Sequence, residues 1–373
     1  MKPVLFVTNH APAYRLGAFE RLAAREDVEF ALFGGRLHHG GGATAPELPF
    51  PHLHVRENTL KGASELYALA TSGRYRAVVC PTGGRVALPA TWAGARRARL
   101  PLILWASLWA HPRSLPHALS FLALRRLYRT ADAVVTYGPH VSEYVRARGA
   151  SHVYEAPQSV DNGFWSSPEV TLPHDSVWTN KSTVKFLFAG RPTREKGLGV
   201  LFEAWSMSGL QAPTAALVLV GAGSTPPWVP AGGAVAGATA DSLVSLDPVS
   251  PTELRNFYAA ADVLVVPSIP TPTFREPWGL VVNEAMNRSL PVIASDAVGA
   301  AAGGLVRDGH NGAIVPAGDP IALAAALRRL AGDGELRVRL GEAGHASVSA
   351  YTHDAWAEGF SRALSHLRLS RER

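Results

Sequence analysis

The chain has 373 residues, 47% of them hydrophobic and 18% charged, which excludes a disordered protein and suits about two domains at roughly 100–200 residues each. Its one cysteine, Cys80, excludes a disulfide framework and a thiolate metal cluster, and no apolar run approaches the ~20 residues of a spanning helix. The net charge of +6 sits in the first half, where residues 1–165 hold 19 Lys and Arg against 11 Asp and Glu, and the remainder holds 17 against 19.

The opening MKPVLFVTNHAP reads as a first strand rather than a leader, so a soluble, cytoplasmic chain is expected. Strand-like apolar runs follow in chain order at Val4–Thr8, Val28–Phe33, Ala77–Cys80, Pro101–Ala106, Ala133–Tyr137 and His152–Glu155. Between them, helical spacing marks Arg15–Arg25, Ala63–Thr71, Ala87–Arg97, Pro116–Thr130 and Pro139–Arg148. Short apolar strands joined by helices predict a parallel sheet covered on both faces. Residues 156–183 break the pattern with three prolines and no period, and read as an interdomain connection and hinge.

Alternation resumes with strands at Val184–Ala189, Ala216–Val220, Val263–Pro267 and Pro291–Ser295. Helices are expected at Gly199–Met207, Pro251–Ala260, Val281–Arg288 and Pro320–Leu330, with a longer helical region over 334–368. The result is an α/β chain of two Rossmann-like halves with a cleft between them. The first covers 1–165, the connection 166–183 and the second 184–352, with 353–370 crossing back to the first. In such sheets ligands sit outside the carboxyl ends of the strands, so the loops there are where chemistry is sought.

Three such loops stand out in the second half. Gly190-Arg191-Pro192-Thr193-Arg194-Glu195-Lys196-Gly197 joins a strand to a helix, where backbone N–H groups and two side-chain cations, Arg191 and Lys196, suit a diphosphate. A solvated turn with ordinary surface charge has the same composition. Gly221-Ala222-Gly223 lacks the third glycine of a dinucleotide fingerprint and reads as a tight turn near a ligand. In the third loop, Pro277 suits a first helical turn, Gly279 admits a ligand to the backbone, and Glu276 and Glu284 flank them. These two carboxylates could hold the hydroxyls of one polar ligand, or be a helix-start acid and a surface acid.

The pair Glu276…Glu284 has the E-x7-E spacing of retaining glycosyltransferases of family 4, and the chain resembles that family over nearly its whole length. The resemblance rests on GRPTREKG, VSPTELRNFYAAADVLVVPS, REPWGLVVNEAMNRSLPVIASDAVG and LVRDGHNGAIVPAGDPIALAAAL, and on APQSVDNGFW in place of a P-N-G-V-D-like segment. It implies a GT-B fold and a nucleotide-sugar donor, by default a UDP-sugar, with no further cofactor. Arg191 and Lys196 would hold the donor diphosphate beside Gly190 and Gly221, and Glu284 would hold the ribose. Glu276 would lie beside the transferred sugar, and the amides of Trp278, Gly279 and Leu280 would hold its hydroxyls or phosphate. Asp247–Ser250, with Val249, would border the base. The family often has Phe at the position of Trp278.

The first half would be the acceptor domain, with a hydroxyl-bearing small molecule or lipid-linked glycan as acceptor. Its candidates are His10, Tyr14, Arg15 and Gly17 after the first strand, Gly84 and Arg85 after the third, and Trp109 after the fourth. His111, in that same loop, is the candidate near the donor sugar. The pair His38-His39 lacks metal-ligand spacing, and no D-x-D pair occurs, which fits metal-independent transfer. Residues 85–148 carry ten arginines against Asp132 and Glu143, and Pro116–Arg129 mixes apolar and basic residues as an interfacial helix does. Peripheral contact with the inner membrane face is one reading. An Arg-rich composition, with only five of the 36 basic residues Lys, and a helix packed on the sheet is the other. Nucleic acid is not expected as a partner. An epimerase acting on a nucleotide sugar, or a non-catalytic anion- or membrane-binding protein, are the competing functions.

Overall fold

The computed structural model describes residues 1–34, 48–56, 59–84, 86–169, 171, 178, 180, 182–223 and 242–371, with the side chains of 115–119 excepted. Arg85, His38 and His39 lie outside the described residues. The chain divides into two units, one of Met1–Asp161 with Tyr351–Arg373, the other of Asn162–Ala350.

The first unit runs β1 (Val4–Thr8), α1 (Ala13–Glu26), β2 (Val28–Leu32), β3 (His52–His54), α2 (Leu60–Thr71), β4 (Ala77–Pro81), α3 (Ala87–Ala98), β5 (Leu102–Ala106), α4 (Leu115–Thr130), β6 (Ala133–Thr136), α5 (Pro139–Arg146) and β7 (Val153–Glu155). Its seven strands are all parallel, in the order β3-β2-β1-β4-β5-β6-β7. The central strands are apolar on both faces because helices cover both, and β1, β5 and β6 are buried throughout. The last helix of the chain, His353–His366, belongs to this unit. Thr352 caps its start by accepting from Ala355 N, and Trp356 and Phe360 join Phe6, Phe19 and Trp105 in one core. The chain end is anchored too: the fully buried Glu26 accepts from Ser370 Oγ and Arg371 N and faces Arg76 at 3.3 Å.

The second unit begins with the short α6 (Asn162–Ser166). It continues β8 (Val184–Ala189), a 3-10 turn (Arg194–Lys196), α7 (Leu198–Ser208), β9 (Ala215–Val220), β10 (Leu243–Leu246), α8 (Pro251–Ala260), β11 (Val263–Val266), α9 (Val281–Met286), β12 (Val292–Ser295), α10 (Gly299–Ala302), β13 (Gly312–Val315), α11 (Pro320–Gly332) and α12 (Gly334–Val348). The His353–His366 helix is therefore α13. The six strands are parallel in the order β10-β9-β8-β11-β12-β13. Helix starts follow side-chain chemistry. Ser250 and Glu253 form a reciprocal capping box before Pro251, and Asp319 and Asp333 cap α11 and α12.

The strands expected from apolar runs are present, with ends shifted by a residue or so. Three strands that the patterning does not announce, β3, β10 and β13, are three of the four outer strands of the sheets. The helical region 334–368 is two helices, broken at 349–352, and the second joins the other unit. Residues 162–169 group with the second unit because Arg255 Nη2 donates to Glu169 O at 2.7 Å and Arg288 Nη1 to Ser167 O at 2.7 Å. Among the described residues no helix is long and apolar enough to cross a membrane. Helix α4 packs Leu124, Leu127 and the buried Tyr128 toward the sheet, while Leu122 is 69% exposed.

Candidate active site

In each sheet the strand order reverses beside the first strand, between β1 and β4 and between β8 and β11. Loops leaving adjacent strands diverge at such a point and open a crevice at the carboxyl ends. In the second unit those two loops are the ones singled out by motif. Residues 190–197 leave β8 and residues 267–276 leave β11, which is paired with β8 through Val263↔Phe186 and Leu264↔Leu187.

The two loops are locked together. Gly197 has φ +72°, and a Cβ there would lie 1.9 Å from Pro267 O, so only glycine fits. Ile269 N donates to Glu195 O at 2.9 Å. This brings Lys196 Nζ to 2.6 Å from Glu276 Oε2, an ion pair between residues 80 positions apart, with Ser268 Oγ 3.4 Å from the same oxygen. Glu276 is 8% exposed. Arg191 is exposed at the rim and pairs with no carboxylate among the described residues. The two glycine turns also meet, since a Cβ on Gly221 would lie 3.0 Å from Gly190 O.

Beyond Glu276 the backbone packs on the loop after β12. Glu276 bridges Val298, Ala300 N donates to Trp278 O at 2.7 Å, and Gly279 turns at φ +92°. Gly279 O and Leu280 O then accept from Val282 N and Glu284 N to open α9. Trp278 is buried and donates its indole N–H to Asn283 Oδ1 at 2.7 Å, a bond that Phe could not make. Glu284, 8% exposed, accepts from Tyr258 OH at 2.8 Å. Burial pushes its carboxyl up to about 7, and the Tyr258 bond opposes that rise. The Tyr258 hydroxyl is raised well above its ordinary value by burial and then by the facing carboxylate. Val249 is half-buried in the loop between β10 and α8.

The structure thus brings Lys196 and Glu276 into contact and seats Trp278, Gly279, Leu280 and Glu284 on one continuous turn. The sequence reading missed Tyr258, Ser268 and Asn283. Their only signal was membership of the quoted runs; Tyr258 pairs with Glu284 across 26 positions, which leaves no local spacing. Among the described residues no three His, Cys, Asp or Glu side chains gather as a metal site needs.

The described candidates of the first unit also follow the carboxyl ends of its strands, in several settings. Arg15 is 7% exposed, donates to Gln158 Oε1 at 2.7 Å, and lies over the Trp105 ring at 4.8 Å, with Tyr14, Tyr137 and Trp356 also within 6 Å. Tyr14 is 45% exposed. Gly17 is the point where α13 approaches α1, because a Cβ would lie 2.5 Å from His353 Cδ2. His10 lies against the Gly34 backbone, and Gly84 turns at φ +97° beside Phe33 and Ala87. Trp109 meets the His140 ring edge-on at 5.1 Å. His111 meets Phe121 edge-on at 5.0 Å, with Tyr144 OH 3.5 Å from its Nδ1.

Residues 183–333 match the family model described as glycosyl transferases group 1. A D-inositol 3-phosphate glycosyltransferase of Streptomyces bingchenggensis is 41% identical over 122 residues, 30% of this chain and 25% of that protein. The chain spans 22% to 54% of the length of the curated relatives it matches. A solved sucrose-phosphate synthase of Thermosynechococcus elongatus superposes with a TM-score of 0.75 at 19% identity, covering 99% of both chains. Anabaena HepE, solved in complex with UDP-glucose, superposes at 0.73 with 18% identity, over 98% of this chain and 100% of that one. The chain has the fold of the GT-B glycosyltransferases. Within its second unit, residues 183–333 are similar to the glycosyl transferases group 1.

Proposed function

We propose that this chain transfers a sugar from a nucleoside-diphosphate donor, a UDP-sugar, to an acceptor hydroxyl with retention of configuration. The observation that carries the reading is the Lys196–Glu276 contact at the switch point of the second sheet, continuous with the turn that leads to Glu284. The Anabaena neighbour was solved with UDP-glucose, which supports a UDP-sugar donor.

The chemistry asks the protein to neutralise the departing diphosphate and to hold the acceptor on the face the phosphate leaves. Arg191 and Lys196 would bind the diphosphate, so that no metal is needed. Lys196 has three N–H donors, and one directed at Glu276 leaves two for phosphate oxygens. Glu284 would take the ribose hydroxyls, while Glu276 and the backbone of Trp278–Leu280 would orient the transferred sugar. The bond from the anomeric carbon to the phosphate oxygen breaks as the acceptor oxygen bonds on the same face. The acceptor proton passes to the leaving phosphate. The acceptor, a small molecule or a lipid-linked glycan, would be taken by the first unit near His10, Tyr14, Arg15, Gly17, Gly84, Arg85 and Trp109, with His111 toward the donor sugar. The exposed Leu122 and Arg126 of α4 would bring that unit to an anionic membrane face.

The test is a panel of nucleotide sugars incubated with purified protein, following nucleotide release with and without small and lipid-linked acceptors. Release of UDP from one donor supports the reading. Nucleotide binding without release, or an isomerised nucleotide sugar, overturns it in favour of a binding protein or an epimerase.

A further inference from the structure

Both halves of the Trp278–Glu284 turn are held from behind by side chains that reach α6. Glu284 is bonded by Tyr258, whose ring meets Trp165 of α6 edge-on at 5.7 Å. Trp278 is bonded to Asn283. Asn287, just past α9, donates to Asn283 O at 2.8 Å and to Asn162 Oδ1 at 3.0 Å. Asn162 in turn donates to Val348 O at 3.4 Å. Arg255 on α8 and Arg288 after α9 clamp the same segment through Phe164 O, Glu169 O and Ser167 O.

The ends of this line are specific. Asn162 is the first residue of the second unit, and Val348 ends α12 two residues before that unit stops at Ala350. These are the two places where the chain passes between its units. Helix α9 spans six residues, roughly 9 Å at 1.5 Å per residue, so its two ends lie close together. Its first turn carries Asn283 and Glu284, and its far end leads into Asn287 and Arg288. Asn283 and Asn287 are 0% and 5% exposed. Buried amides of this kind have few alternative partners, so a displacement at one end is not absorbed within the line.

We infer that Tyr258 and Asn287 are positioning residues of the donor site, and that through α6 they tie occupancy of that site to both chain crossings. The inference rests on the reading of Trp278–Glu284 as donor-binding. A ligand that draws Glu284 and the Trp278 turn into one geometry also fixes Asn287, and with it Asn162 and the end of α12.

The experiment is hydrogen–deuterium exchange of the full chain with and without nucleotide, alongside calorimetric titration with UDP, GDP and ADP. Binding of one nucleotide should slow exchange in peptides covering 159–166 and 346–352 by about threefold or more, as added local stability does. In Asn162→Ala the slowing should vanish at these peptides, while the dissociation constant stays within about threefold of the parent. Asn162→Ser serves the same purpose should the alanine variant fold poorly. Tyr258→Phe keeps the ring against Trp165 and should weaken nucleotide binding about fivefold, the size of one hydrogen bond. Binding with unchanged exchange at the crossings, or slowing that survives in Asn162→Ala or Asn162→Ser, overturns the coupling and leaves the donor reading standing. Failure of all three nucleotides to bind overturns the donor reading, and the inference with it.

Discussion

Lys196 and Glu276 stand 80 residues apart in sequence and 2.6 Å apart in space, because β8 and β11 are neighbours at the point where the strand order reverses. Both side chains are largely withdrawn from solvent, at 23% and 10% exposure, so the pair is less screened than a surface salt bridge. Lys196→Ala should lower turnover by roughly 100-fold or more, the scale for removing a donor that stabilises developing charge. It should cost only about 1–3 kcal/mol of stability, the range of a charge-assisted hydrogen bond. Initial rates on the active donor and urea unfolding separate the two effects. Turnover equal to the parent would remove Lys196 from the phosphate site.

Glu284 predicts a pH dependence of stability. Its folded value, pushed up to about 7, lies above the ordinary carboxylate value of ~4.3. Between those limits the folded chain keeps a proton that the unfolded chain has released. This contribution to stability is therefore fully present below the unfolded value and is lost as pH rises through 7. Glu284→Gln, which cannot ionise, should gain stability relative to the parent between pH 5 and pH 8. Denaturant titrations of both proteins at the two values measure this, and parallel curves would contradict it.

Gly197, which ends the turn after β8, and Gly199, two residues beyond it, should behave oppositely. Gly197→Ala puts a Cβ against Pro267 O at a φ that costs ~1 kcal/mol or more before any clash, so both the melting temperature and nucleotide affinity should fall. Gly199 lies on α7 with nothing within 4 Å of a built Cβ. Gly199→Ala should be neutral or stabilise by up to about 1 kcal/mol through helix propensity. Thermal melts of the pair are the check.

Arg15 is a buried cation that donates from Nη2 to Gln158 Oε1 and has its guanidinium carbon over the Trp105 ring. Arg15→Lys keeps the charge and loses that geometry, so it should destabilise by about 1–2 kcal/mol. Nucleotide affinity, which the proposed function assigns to the other unit, should be unchanged. Unfolding and nucleotide titration measured on the same preparation test both halves of this expectation.

Much of the fold is legible in the chain, for a physical reason. A strand covered by helices on both faces is a near-continuous apolar run, and β1, β5, β6, β8, β9 and β11 read that way, Lys185 in β8 and the terminal threonines of β1 and β6 excepted. The outer strands β3, β10 and β13 are partly exposed and short; polar residues interrupt HLH and LVSL, and GAIV is apolar but only four residues long. The turns that carry Lys196 and precede Glu284 were legible too, because Gly197 and Gly279 hold backbone at positive φ, where glycine is favoured. What the sequence could not contain was partnership. Which side chain faces Glu276, what bonds Glu284, and why Asn162 matters depend on sheet order and on helices packed side by side. Lys196–Glu276, Tyr258–Glu284 and Asn287–Asn162 span 80, 26 and 125 positions. Local residue spacing constrains only neighbours within a turn or a strand, so contacts at such separations exist only once the sheet has formed.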